Sequence, residues 1–113
     1  ESTFFAMRIA RAYRGGRSKI LKFEGGYHGM SAEAQMSLAP DKLVNFPQAV
    51  PDSAGIPQGV ADQMVIAPFN DPEAVATLMA ENPDIAAIIA ITNVRIPLSS
   101  SSLPTNKTVW PFF

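Results

Sequence analysis

Tyr27 follows two glycines at what reads as the exit of a strand, and His28 and Gly29 come directly after it. An aromatic ring held by a tight turn can stack on a flat heteroaromatic ligand, a contact worth on the order of 1 kcal/mol beyond burial. A half-buried core tyrosine would satisfy the same pattern. His28 is the only histidine in the chain, and it reads either as a ligand contact or as a structural or surface residue. Gly29 suits a close backbone approach or a positive φ. Glu1 stands at the start of a helical pattern. The free N–H groups of a helix amino terminus suit an anion, and a helix-start carboxylate is the plainer alternative. A lysine that attacks a carbonyl needs a lowered pKa beside its reactant, and nothing in the sequence singles out Lys19 or Lys22. Arg8, Arg11, Arg14 and Arg17 are offset by acids such as Glu24 and Asp52. They predict a solvated face or a subunit contact, not a nucleic-acid patch.

The elements that must position these residues follow from periodicity. Residues 2–14 predict a helix, with Phe5, Ile9, Ala12 and Tyr13 as its apolar stripe, Phe4 beside it, and Gly15-Gly16 as its stop. Residues 19–24 predict a strand broken by Gly25-Gly26. Residues 32–38 suit a short helix. Residues 39–62 carry four prolines and two glycines, which predicts a long ordered loop of functional use. Residues 63–67 predict a second strand. Asp71-Pro72-Glu73 opens a helix as N-cap, first-turn proline and dipole-matched acid, with Val75, Leu78 and Met79 as its apolar face. Asn82-Pro83-Asp84 ends it. Ile85 to Ile91 is a nearly continuous apolar run, the pattern of a strand buried on both faces. The fold class is α/β, with parallel strands and a strand-helix-strand crossover over residues 63–91.

Composition narrows the function classes. At 113 residues the chain holds at most one compact domain, and 47% hydrophobic with 17% charged residues is globular, not disordered. A net charge of -1 gives no reason to expect nucleic acid or an anionic membrane as partner. The absence of cysteine excludes disulfides and thiolate metal sites, and with a single histidine the chain offers no zinc-ligand pattern. No apolar run nears the roughly 20 residues of a membrane span. No signal-peptide pattern is present, so a cytoplasmic setting is the default expectation. Gly-x-Gly-x-x-Gly and the phosphate-loop motif are both missing, which leaves a generic nucleotide-binding domain unsupported.

The ordered set Glu1-Ser2-Thr3, Arg11-Ala12-Tyr13, Lys19-Ile20 and Phe23 through Gly29 resembles the class III pyridoxal-phosphate-dependent aminotransferases, nearest to their glutamate-1-semialdehyde 2,1-aminomutase branch. Asn70-Asp71 through Pro83-Asp84-Ile85-Ala86-Ala87-Ile88-Ile89 continues the resemblance, which covers about residues 1–89. It implies an incomplete fragment of the large domain of the fold-type I transferase fold over residues 1–91. It also implies pyridoxal 5'-phosphate as cofactor, a small-molecule amino donor and acceptor as substrates, and a homodimeric parent enzyme. By the same resemblance Tyr27 would stack on the pyridine ring, with His28 and Gly29 beside it, and Glu1 would belong to the phosphate-binding turn.

Where the family continues from this last strand into Val-Glu-Pro, the chain has Ala90-Ile91-Thr92, and nothing later resembles the family. The expectation is a frameshift, read-through or assembly artefact near position 90, with residues 92–113 a disordered tail. A clipped front and a missing cofactor-binding lysine are expected with it. The fragment is then expected to be inactive alone, or to serve as a non-catalytic partner of an intact subunit. An open sheet edge predicts aggregation unless a partner covers it.

Overall fold

The computed structural model describes residues 1–39 and 46–90. The expectations for Ile91 and for the tail at 92–113 lie outside the described residues, as does part of the long loop. A three-stranded parallel sheet lies at the centre. Its strands are β1 (Lys19–Phe23), β2 (Met64–Ala67) and β3 (Ile85–Ile89), in the order β2-β1-β3. Helix α1 (Ser2–Arg14) precedes β1, the short α2 (Gln58–Ala61) leads into β2, and α3 (Pro72–Glu81) joins β2 to β3. The predicted α/β class and the crossover helix are both present, and β1 lies between the two strands that the helix links.

Alternation along β1 divides the core. Ile20 joins Met7 of α1, Met36, Ala61, Met64, Ile66 and Ala86 on one face. Leu21 joins Val65, Ala67, Leu78 of α3 and Ile85 on the other. Period-2 geometry sends neighbouring side chains to opposite faces, so β1 serves both layers. Helix α3 forms as its sequence predicts: the Asp71 side chain accepts from the Ala74 N–H at 3.0 Å and Pro72 occupies the first turn.

Three expectations are corrected. The buried residues of α1 are Met7 and Ala10, whereas Phe5, Ile9, Ala12 and Tyr13 are exposed. The larger apolar residues had suggested the opposite face. Small Ala10 and flexible Met7 allow the helix to approach the sheet closely, which bulky Phe5 and Tyr13 would not. Residues 32–38 form turns rather than a helix. Their groups are taken up by side chains and by a distant segment: Lys22 Nζ donates to the Ala34 and Met36 carbonyls, and Met36 bridges Pro51. Only the first two residues of β3 are fully buried, and Ile88 is 40% exposed.

The segments around residues 31–39 and 46–57 are tied together and to β1. The Ser37 N–H donates to the Val50 carbonyl at 2.7 Å, and the Val50 N–H donates to Ser37 Oγ at 3.0 Å. The Asp52 carboxylate accepts from the Leu38 and Ala39 N–H groups. Gly25 N–H, at the end of β1, donates to the Ser37 carbonyl at 2.8 Å. The described parts of the expected loop up to Asp52 are therefore held by specific bonds at the carboxyl end of the central strand, while its Gln58–Ala61 stretch is not loop but helix α2.

Candidate functional site

Strand β1 pairs with β2 on one side and β3 on the other, and the chain visits them in turn. Open parallel sheets bind ligands outside the carboxyl ends of their strands, and for the central strand that is where residue 24 follows Phe23. The Gly25–Gly29 loop leaves β1 at that point. Gly25 takes φ 75° and Gly29 φ 103°, so both need the freedom of glycine. Gly26 N–H closes back on the Phe23 carbonyl at 3.0 Å.

The loop sends its two ring side chains different ways. Tyr27 is 55% exposed and stays at the surface. His28 is 3% exposed, folded beneath Gly26, and a Cβ on that glycine would lie 3.1 Å from His28 Nε2. Both His28 ring nitrogens are buried without a hydrogen-bond partner among the described residues. Burial, and secondly the charge of Lys22, lower its pKa and favour the neutral ring.

Helix α1 supplies the second half of the site. It turns through Gly15-Gly16 into β1, which returns its amino terminus toward the carboxyl end of that strand. Thr3 Oγ1 donates to the His28 carbonyl, and the Cβ position of Gly29 lies 3.6 Å from the same oxygen. Glu1 is the N-cap residue but makes no side-chain capping bond, and the first turn holds no acidic residue. The first intrahelical bond from this end is Phe5 N–H to the Glu1 carbonyl at 3.0 Å. The N–H groups of Ser2, Thr3 and Phe4 therefore have no acceptor within the helix.

Sequence reasoning missed two residues that shape this end of the sheet. Thr3 links α1 to the loop. Lys22 is fully buried, on the same face as Ile20, with its ammonium under the loop carbonyls of Ala34 and Met36. Burial pushes its pKa down to about 8, with Asp52 opposing the shift. The period-2 pattern of β1 already placed Lys22 on the Ile20 face, and that was the available signal. Lys19 sits at the opposite, amino end of β1, paired to Asp84 at 3.2 Å. Arg8 and Arg14 are exposed as expected, whereas Arg11 pairs with Glu33 at 3.1 Å and Arg17 donates to the Ile85 carbonyl at 3.4 Å. Among the described residues no cluster of three or more metal-ligating side chains occurs, and no helix is long and apolar enough to cross a membrane.

No family model matches the chain. Known proteins nevertheless resemble it closely. It is 48% identical over 90 residues to a glutamate-1-semialdehyde 2,1-aminomutase of Cytophaga hutchinsonii, covering 79% of this chain and 20% of that protein. The protein of the same name from Methanopyrus kandleri is 44% identical over 90 residues, with the same coverage. An omega-transaminase from Sphaerobacter thermophilus superposes with a TM-score of 0.65 at 39% identity, over 75% of this chain and 20% of its own. A transaminase solved with PLP bound superposes at 0.63 and 32% identity, over 75% of this chain and 19% of its own. The chain thus spans about a fifth of the length of the curated relatives it matches.

Proposed function

Over the stretch that aligns, the chain belongs to the class III pyridoxal-phosphate-dependent aminotransferases and aminomutases, and from that premise we propose that residues 1–91 form one wall of a pyridoxal-phosphate site in the large domain. The observation that carries the proposal is the meeting of two parts at one place: the uncapped amino terminus of α1 and the loop bearing exposed Tyr27, joined by Thr3 and His28.

The fit is chemical as well as spatial. Free N–H groups at a helix amino terminus, reinforced by the helix dipole, suit a phosphate dianion. Tyr27 offers one face of a ring to a flat pyridine. Gly29 holds the positive φ of 103° at the point where the His28 carbonyl meets Thr3. His28 supports the loop from below, since its ring lies in the core while Tyr27 faces outward. Glu1 is the exposed residue at the mouth of the anion site, where its carboxylate can accept a bond from a substrate or a neighbouring donor. Bound pyridoxal phosphate supplies an electron sink for carbon–nitrogen chemistry. This wall binds and orients it. Neither Lys19, at the far end of β1, nor Lys22, buried under two carbonyls, is placed to bond the aldehyde. The chain then binds the cofactor without carrying out amino-group transfer through either residue.

Titration of the chain with pyridoxal phosphate, followed by absorbance and by tyrosine emission, tests the proposal. Saturable binding that inorganic phosphate competes away is expected, and Tyr27→Ala should weaken it about fivefold, the value of one aromatic contact. Binding that is indifferent to Tyr27→Ala and to phosphate sinks it.

A second reading, that the chain pairs with an intact subunit of the family, draws on the exposed stripe of Phe5, Ile9 and Tyr13 on α1. Co-purification of tagged chain with a full-length relative supports it, and separate elution in gel filtration at micromolar concentration counts against it.

A further inference from the structure

Thr3 touches neither half of the proposed site's ligand through its own side chain, yet it is the atom-level link between the two halves. Its Oγ1 donates to the His28 carbonyl across 25 positions of sequence, and the same oxygen lies 3.6 Å from where a Gly29 Cβ would stand. The His28 carbonyl is one peptide from Tyr27, and the Thr3 N–H is one of the three free donors of α1. One hydroxyl therefore fixes the distance between the ring that would stack and the helix end that would hold the anion. The loop has few other restraints on that side. The Tyr27 ring is exposed and the His28 nitrogens make no bond among the described residues. Position 29 also has a φ of 103°, which only glycine holds without strain.

We propose that Thr3 is a positioning residue, a pin that sets the spacing between the anion-holding terminus of α1 and the Tyr27 loop so that one phosphate-bearing heteroaromatic ligand meets both together. This rests on the cofactor site proposed above. A ligand engaging two subsites gains affinity from their fixed separation, because the second contact becomes intramolecular. Losing the pin should weaken the joined ligand while leaving each half's own partner unaffected.

The test compares the full chain with Thr3→Val and Thr3→Ser. Valine keeps the β-branched shape and nearly the same helix propensity but has no hydroxyl; serine restores it. Without ligand, hydrogen exchange at the Gly25 and Gly26 amides, which donate to the Ser37 and Phe23 carbonyls, should quicken in Thr3→Val and remain near wild type in Thr3→Ser, while Leu21 and Ile66 stay protected in both. Pyridoxal phosphate should bind Thr3→Val roughly fivefold more weakly, as for one lost hydrogen bond. Pyridoxal alone and inorganic phosphate alone should bind it as they bind wild type. Unchanged exchange in Thr3→Val overturns the pin, and so does loosening that spreads to β1, which would make the hydroxyl a general stabiliser. A wild-type chain that never binds pyridoxal phosphate overturns the cofactor site, and with it the purpose of the pin, while the exchange result still reports whether the loop is held.

Discussion

Leu21 and Ile88 are partners in register on adjacent parallel strands and face the same side of the sheet, yet Leu21 is fully buried and Ile88 is 40% exposed. Ile88 lies in the more apolar run, Ile-Ala-Ala-Ile-Ile, whereas β1 carries Lys19 and Lys22 beside Ile20 and Leu21. The difference is position. Strand β1 has a neighbour on each side, and its Ile20 joins the cluster that holds Met7 of α1 while its Leu21 joins the cluster that holds Leu78 of α3. Strand β3 pairs only with β1 among the described residues; α1 packs against β3, but α3, which joins the Leu21 cluster, packs on β2 at the opposite side of the sheet. Burial of an apolar strand is thus conferred by its neighbours and not by its own composition.

The largest effect expected from this contrast is at β1. Leu21→Lys should cost more than about 4 kcal/mol, since it places an unpaired charge in a closed layer, and circular dichroism should show the sheet lost. A Leu21→Lys chain that melts like wild type would end the comparison. Lys22→Met comes next. It keeps the stem, removes the ammonium and strands the Ala34 and Met36 carbonyls, for a loss of roughly 1–3 kcal/mol, read from chemical denaturation. The same variant sharpens a pH effect. The folded lysine releases its proton near 8 and the unfolded one near 10.5. Between those values the unfolded chain binds more protons, so stability rises with pH. Melting temperatures should climb across that window in wild type and stay flat in Lys22→Met.

His28 gives a smaller effect on the acid side. Its folded pKa lies below the ordinary 6.5, so protonation favours the unfolded chain. Stability should fall as pH drops below about 6.5, and His28→Gln should remove that slope from melts recorded between pH 7.5 and 5. Ile88→Lys is the smallest, within about 0.5 kcal/mol as at other exposed positions. Its visible consequence should be less aggregation, because a charge on an open edge discourages strand pairing; turbidity against concentration measures it.

Much of this architecture was legible beforehand. The Gly15-Gly16 and Gly25-Gly26 stops, the Asp71-Pro72 helix start and the three apolar strands each carry a local signal, and local signals survive folding. The α1 stripe was misread because Phe5, Ile9 and Tyr13 are bulkier than Met7 and Ala10, while close helix-on-sheet packing selects the smaller and more flexible pair. The turns at 32–38 were misread because their carbonyls are bonded by Lys22, which is remote in sequence.

The sequence by itself determined the α/β order of elements, the glycine loop with Tyr27 at its centre, and the family resemblance, since all three are written in consecutive residues. Only the tertiary structure decided that Tyr27 faces out while His28 faces in, that Lys22 lies buried under the loop, and that Thr3 joins the helix terminus to that loop. Contacts between residues far apart in sequence depend on how the sheet brings the carboxyl end of β1 and the start of α1 together, and no periodicity along the chain encodes that meeting.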